Sequence, residues 1–270
     1  MNRLFLLAGL LAPVSVAHGQ TLAQRVANAP DGEVRITYAA RPGVCGNGEN
    51  MIGSRRPGEP VSSTWVQSGT WSGDTRGRTQ WEEACEPGPV RVALTVQSGR
   101  VTALRPHVGG GWRTGSGRVT DLGTVAPSDA AAYLISLAET VDADVGKKAI
   151  FPATLAEGTT IWRDLLRVAR STRAPEKARS QAVFWLGQAA GDEVTRSLGQ
   201  LVQDDGIDRS VQKQAVFALS QRPQAEGIPA LIQVARTHRD AQIRKQALFW
   251  LGQSKDPRAI ALFEEILTRS

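Results

Sequence analysis

Gln181-Ala-Val-Phe-Trp-Leu-Gly-Gln188 is followed by Gln214-Ala-Val-Phe-Ala-Leu-Ser-Gln221 and then by Gln246-Ala-Leu-Phe-Trp-Leu-Gly-Gln253. The copies start 33 and 32 residues apart, and a fainter one, Lys148-Ala-Ile-Phe151, starts 33 residues before the first. Self-similarity at a fixed period of this length marks a stacked repeat array. The register persists in the second half of each unit. Seventeen residues after the start stands Leu165, Leu198, Leu231 or Phe263; twenty after, Val168, Leu201, Val234 or Ile266; twenty-one after, Ala169, Val202, Ala235 or Leu267. Such spacings put the apolar residues on one helical face, so each unit is predicted to be two helices joined by a short polar turn. Asp192 and Asp256, the latter followed by Pro257, stand where N-caps are expected. The first helix of a unit, as in Ala182-Val-Phe-Trp-Leu186, is apolar almost all round and needs cover on several sides. Stacking supplies that cover, so Phe217 and Leu219 are expected to be buried between neighbouring units.

These residues resemble HEAT repeats, in particular the short type of bilin-lyase-like proteins. The shared pattern is an Asp, a basic residue, then Ala-x-x-x-Leu-Gly. Asp240 and Arg244 ahead of Ala247 to Gly252 match it; Asp208 matches one unit earlier, where Gln212 replaces the basic residue; Arg179 is present before that, but Pro175 replaces the Asp. The resemblance covers about residues 127–270, as three clear units and one degenerate unit. It implies an architecture suited to binding proteins rather than a particular activity.

Residues 20–126 read differently. Leu22 to Ala29 is a short amphipathic stretch, and Glu33 to Tyr38 alternates as a half-buried strand does. Val90 to Val96 and Val101 to Leu104, joined by Gln97-Ser98-Gly99-Arg100, form a predicted hairpin, and Val119 to Val125 a further edge strand. Pro127-Ser128-Asp129 is read as the cap of a helix, Ala130 to Thr140, that closes the N-terminal side of the array. The fold class is therefore α+β with two domains: a small β-rich domain at 20–126 and an α-solenoid at 127–270.

Residues 1–19 have the layout of a secretory signal peptide. Arg3 precedes an apolar stretch, Leu4 to Val16, and small residues follow, with cleavage expected after Ala17 or Gly19. The rival reading is an uncleaved anchor, but the stretch would span about 20 Å of a hydrocarbon core roughly 30 Å thick. The expected location is thus periplasmic or secreted, with no stable membrane insertion after cleavage. Export and an even cysteine count favour a disulfide between Cys45 and Cys85. Closing a loop of about 40 residues is worth roughly 4 kcal/mol on the chain-entropy model. A metal pair lacks partners, because the only histidines after the leader are His107 and His238. The net charge of +6 is carried by interspersed residues, which argues against nucleic acid.

No enzyme motif stands out. His107-Val-Gly-Gly-Gly-Trp112 is close to an esterase oxyanion loop, but Val108 interrupts it and no Gly-x-Ser-x-Gly elbow exists. The glycines around Gly46 lack Gly-Lys-Ser/Thr, and no His-Glu dipeptide occurs. No cofactor or metal is implied, and nothing beyond repeat type points to a lyase. Trp65, Trp71, Trp81 and Trp112 are either the core of the first domain or a stacking platform for sugars or peptide, with core preferred. Arg236, His238, Arg239, Arg244 and Lys245 fall on a turn between repeats and are read as a solvated cluster.

The expected function is an exported scaffold for another protein or an extended peptide, not an enzyme. The alternative is a ligand- or glycan-binding sensor or enzyme domain in the β-rich part, held by the repeats. In stacks of the resembled kind the second helices line the concave side. Outward positions there read Arg163, Arg167, Arg170; Arg196, Gln200, Gln203; Pro229, Gln233, Arg236; and Ala261, Glu265, Thr268. They are either a solvated face or a graded groove for an acidic or extended segment.

Overall fold

The computed structural model describes residues 19–49, 51–54, 63–66, 85–112, 115, 117–140 and 142–268, with only the backbone of 63–66 and Thr140. The leader, Trp71 and Trp81 lie outside the described residues, as does the side chain of Trp65.

The chain opens with α1, Leu22–Ala27, whose start is fixed by a capping box: Thr21 Oγ1 accepts from the Gln24 N–H, and Gln24 Oε1 from the Thr21 N–H. A first sheet follows, built from β1 (Gly32–Tyr38), β6 (Val90–Gln97), β7 (Arg100–Val108) and β8 (Val119–Thr124), in the order β7-β6-β1-β8. β8 runs parallel to β1 on the edge, and the other pairings are antiparallel. Alternation does what it should: Val90, Val92, Leu94 and Val96 of β6 are buried, while the residues between them are only partly so. Ser98 and Gly99 both have positive φ, as a tight two-residue hairpin turn demands. The second strand of that hairpin runs on past Leu104 to Val108. Pro106 is tolerated inside it because β7 is an edge strand.

A smaller second sheet has the order β4-β3-β2-β5, from β2 (Val44–Gly46), β3 (Met51–Ser54), β4 (Ser63–Val66) and β5 (Glu86–Pro87). Cys45 in β2 is bonded to Cys85, just ahead of β5, with the two Cα atoms 5.1 Å apart.

The helical half begins with α2, Pro127–Thr140, three residues earlier than the sequence suggests, because Pro127 occupies the first helical position and the Ala126 carbonyl accepts from the Ala130 N–H. Four helix pairs follow: α3 (Ala143–Thr154) with α4 (Trp162–Arg170), α5 (Glu176–Gly187) with α6 (Asp192–Gln203), α7 (Arg209–Ser220) with α8 (Gln224–Thr237), and α9 (Ala241–Ser254) with α10 (Pro257–Thr268). The first helices pack in series, α3 on α5 on α7 on α9. Their approach is close: a Cβ at Gly187 would lie 2.8 Å from that of Ala218 on the next unit. Ala182, Val183, Leu186, Ala215, Val216 and Leu219 form the seam.

Two expectations need correction. Asp192 is the first residue of α6, and the cap position belongs to Gly191, whose φ of 106° suits glycine alone. Phe217 is only half-buried; its ring lies 5.2 Å from that of Trp250, on the outer side of the seam, whereas Leu219 is fully buried.

The sheet and the helices share one apolar core that runs from Leu22 to Leu262. β7 packs on α3, and α2 packs on α1 and β1. Tyr38, at the end of β1, is fully buried and donates its hydroxyl to the Pro152 carbonyl at 2.7 Å. The chain beyond it is stitched to the end of α3 by Arg41 N–H to Leu155 O and Glu157 N–H to Ala39 O.

Because Leu219 is fully buried and Phe217 is not, Leu219→Ala should cost about 2–5 kcal/mol in urea unfolding and Phe217→Ala distinctly less. A loss at Leu219 below about 0.5 kcal/mol, the size of an ordinary surface substitution, would mean that the helices stack in another register.

Candidate functional site

The second helices α4, α6 and α8 turn one stripe into the array and the opposite one to solvent, whereas in α10 the expected inward positions Ile266 and Leu267 are exposed and Phe263 is half-buried. Leu165, Val168 and Ala169 of α4 are buried, as are Leu198, Leu201 and Val202 of α6, so the intervening positions must face outward. Arg163, Arg167, Arg170, Arg196, Gln200, Gln203, Pro229, Gln233, Arg236, Ala261 and Thr268 are all exposed, and Glu265 is half-buried.

Neighbouring helices are linked across this face. Arg170 donates to the Gln200 side chain at 3.5 Å, Gln203 to Thr237 at 3.5 Å, and Arg236 is paired with Glu265. The basic end is less open than its composition implies. Arg167 is held by Glu139 at 2.6 Å and Asp164 at 3.2 Å, and the Arg163 guanidinium lies over the Trp162 ring at 4.7 Å. Arg196 has a looser partner in Asp192, at 3.5 Å one turn away.

Between α6 and α8 the face deepens into an open groove of about 440 Å³. Gly199 and Ala230 leave the space, and a Cβ at Gly199 would meet nothing within 4 Å. Arg196, Gln200, Gln203 and Gln233 line it. The structure thus gathers four of the predicted outward residues, Arg196, Gln200, Gln203 and Gln233, around one groove, with Arg170 bonded to its rim. Arg163, Arg167 and Arg236 belong to flanking rungs.

The groove is backed by a network that carries no periodic signal in the sequence. Arg222, in the turn between α7 and α8, is buried and donates to Thr195 Oγ1 at 2.8 Å and to the carbonyls of Gly187, Ala189 and Gly191 at the end of α5. Glu226 completes the set, 3.1 Å from Arg222 and bonded to Thr195. The Thr195 hydroxyl first, and then the Arg222 guanidinium, hold the Glu226 carboxyl below its usual range. The groove therefore holds two carboxylates, Asp192 and Glu226, beside Arg196, its one basic lining residue.

The turn cluster is not the loose solvated group expected from the sequence. His238 is buried; its Nδ1 accepts the Asp240 N–H at 3.0 Å, so Nε2 carries the proton and donates to Val202 O at 2.9 Å. Arg244 donates to the carbonyls of His238 and Arg239, and Arg239 pairs with Asp205 at 2.6 Å. Arg236, Arg239 and Lys245 are exposed, as expected of a solvated cluster, whereas His238 is buried and Arg244 half-buried.

On the first sheet, Trp112 packs edge-on against His107 with centroids 5.1 Å apart, and the Arg35 guanidinium lies 4.8 Å above the Trp112 ring. His107 lies near the end of β7, just ahead of the glycine turn in which Gly109 and Gly110 take positive φ. Among the described residues no group of three His, Cys, Asp or Glu could hold a metal ion, and no helix is long and apolar enough to cross a membrane.

A family model described as HEAT repeats matches residues 207–270, which span α7 to α10. The C-terminal part of the chain is thus a HEAT-repeat array, an architecture that generally serves protein binding. No curated protein matches the chain.

The cap between the two helices of the last unit carries a pH signature. Asp256 caps α10 by accepting the Arg258 N–H at 2.9 Å, and its carboxyl is held down to about 2, chiefly by the Arg258 guanidinium and next by that N–H. A carboxylate depressed on folding stabilises above its unfolded pKa of about 3.9 and loses that contribution as pH falls towards the folded value. Asp256→Asn keeps a capping oxygen but removes the charge. Its urea midpoint should lie below that of the parent at neutral pH, and the gap should close as pH falls from about 4 to about 2. A gap that does not change with pH would refute the charge assignment.

Proposed function

We propose that this protein is an exported scaffold that binds another protein, or an extended segment of one, in the groove between α6 and α8 and along the flanking rungs. The observation that carries this reading is the set of amide side chains in the groove, Gln200, Gln203 and Gln233. Each amide offers a donor and an acceptor, the complement of an extended peptide backbone. Arg170 and Arg196 add a preference for acidic side chains on one flank, and charges at such an edge act mainly on encounter rate and orientation. The leader-like first nineteen residues and the Cys45–Cys85 bond support a periplasmic or secreted setting. In this reading the chain works by binding, without catalysis and without a cofactor.

A second reading rests on the Arg35–Trp112–His107 stack, which would take a planar or sugar-like ligand on the first sheet. The two separate cleanly by substitution. Gly199→Leu fills the groove while improving helix propensity by up to about 1 kcal/mol, so thermal stability should hold or rise. With the protein as bait in an envelope extract of its source, proteins retained by the parent and by Lys245→Glu should be lost with Gly199→Leu. Retention that survives Gly199→Leu but fails with Trp112→Ala would overturn the groove in favour of the sheet.

A further inference from the structure

The last unit exposes apolar positions that the earlier units bury or half-bury. Phe249, Ile260, Ile266 and Leu267 are 57%, 51%, 42% and 77% exposed, and among the described residues the only other large exposed apolar side chain is Val119. One repeat upstream the matching positions are Phe217, Ile228, Val234 and Ala235. Ile228 and Val234 are 4% and 2% exposed, and Phe217 and Ala235 are half-buried. The cover comes from the next unit: Phe151 stacks on Trp185 with centroids 5.0 Å apart, and Phe217 meets Trp250 at 5.2 Å. The Phe249 ring lies 5.0 Å from that of Trp250 on its own helix and is 57% exposed. The outer face of α9 and α10 is therefore the array's own interface, continued to the last described helix and left open.

We infer that this open face is a self-association surface, on which two copies meet tail to tail about a two-fold axis, α9 and α10 of one against α9 and α10 of the other. The opposite end of the array cannot serve as the complement, because α2 and β7 already cover α3 there. Head-to-tail stacking is thereby blocked, and a closed pairing of identical faces is what remains. Charge permits it. The outward arginines thin out along the array, and residues 241–268 hold four basic and three acidic side chains, so two such ends meet without strong repulsion.

Light scattering of the chain purified after column separation, across a dilution series, tests this. The parent should have twice the chain mass and dissociate on dilution. Phe249→Glu combined with Leu267→Glu should be a monomer at every concentration, with helical content unchanged and a thermal midpoint equal to that of the parent diluted to monomer, since both side chains are exposed in the single chain. Leu267→Cys should form a covalent dimer under oxidising conditions, and Lys213→Cys should not; the native cysteines are bonded to each other and do not compete. A parent that is monomeric at every concentration, open-ended polymers, or a dimer indifferent to the paired Glu substitutions would each overturn the inference.

Discussion

The first helices of the repeats cannot be left uncovered, and most of the architecture follows from that. α5 buries Ala178, Ala182, Val183, Trp185, Leu186 and Gly187, which occupy most of its circumference. A fully buried Leu, Ile or Val is worth about 1.5–3 kcal/mol over an exposed one, so each unit gains more from its neighbours than from its own hairpin. At the N-terminal end no further repeat is available to cover α3, and the first sheet with α2 performs that task. This is why the apolar core runs unbroken from the sheet into the helices, and why Tyr38 of β1 is bonded to Pro152 of α3.

Close stacking creates a second demand. Helices that end against a neighbour bury backbone carbonyls, and an unpaired one costs about 1–3 kcal/mol. Side chains from the following unit meet this demand. Gln212 donates to Val202 O at 3.0 Å and to Asp204 O at 2.9 Å, His238 reaches Val202 O, and Arg222 closes the end of α5. This gives the repeat motif a physical meaning. The basic position, filled by Arg244 in the best-matching unit, supplies donors to carbonyls at the end of the preceding helix. Gln212 does the same with an amide, so its departure from the pattern costs no hydrogen bond. The motif's Asp ties units together: Asp240 caps α9 and pairs with Arg209 at 2.6 Å, and Asp208 pairs with Arg179.

Period and helical face were legible in the sequence because burial repeats with the array: Leu165, Leu198 and Leu231 are all buried where the register places them. The hairpin of β6 and β7 and the Cys45–Cys85 bond were legible for similarly local reasons. The second sheet was not, since β2, β3 and β5 are two to four residues long and too short to show alternation. Arg222 escaped notice and His238 was read as solvated because each occurs once, in a turn, and its importance lies in carbonyls that only folding brings near. For the candidate site, the sequence indicated which side chains face outward. It could not indicate that Glu139 of α2 engages Arg167, or that Gly199 and Ala230 open a groove beside Gln200.

The claim that the second-helix face is the working surface is tested most directly by contact. A photoreactive side chain placed at Gln200, in the groove, should give discrete covalent adducts with another protein when activated in the intact source cell. The same group at Lys213, exposed on the first helix α7, should give none. Adducts confined to Lys213, or to a probe at Trp112 on the first sheet, would contradict the account.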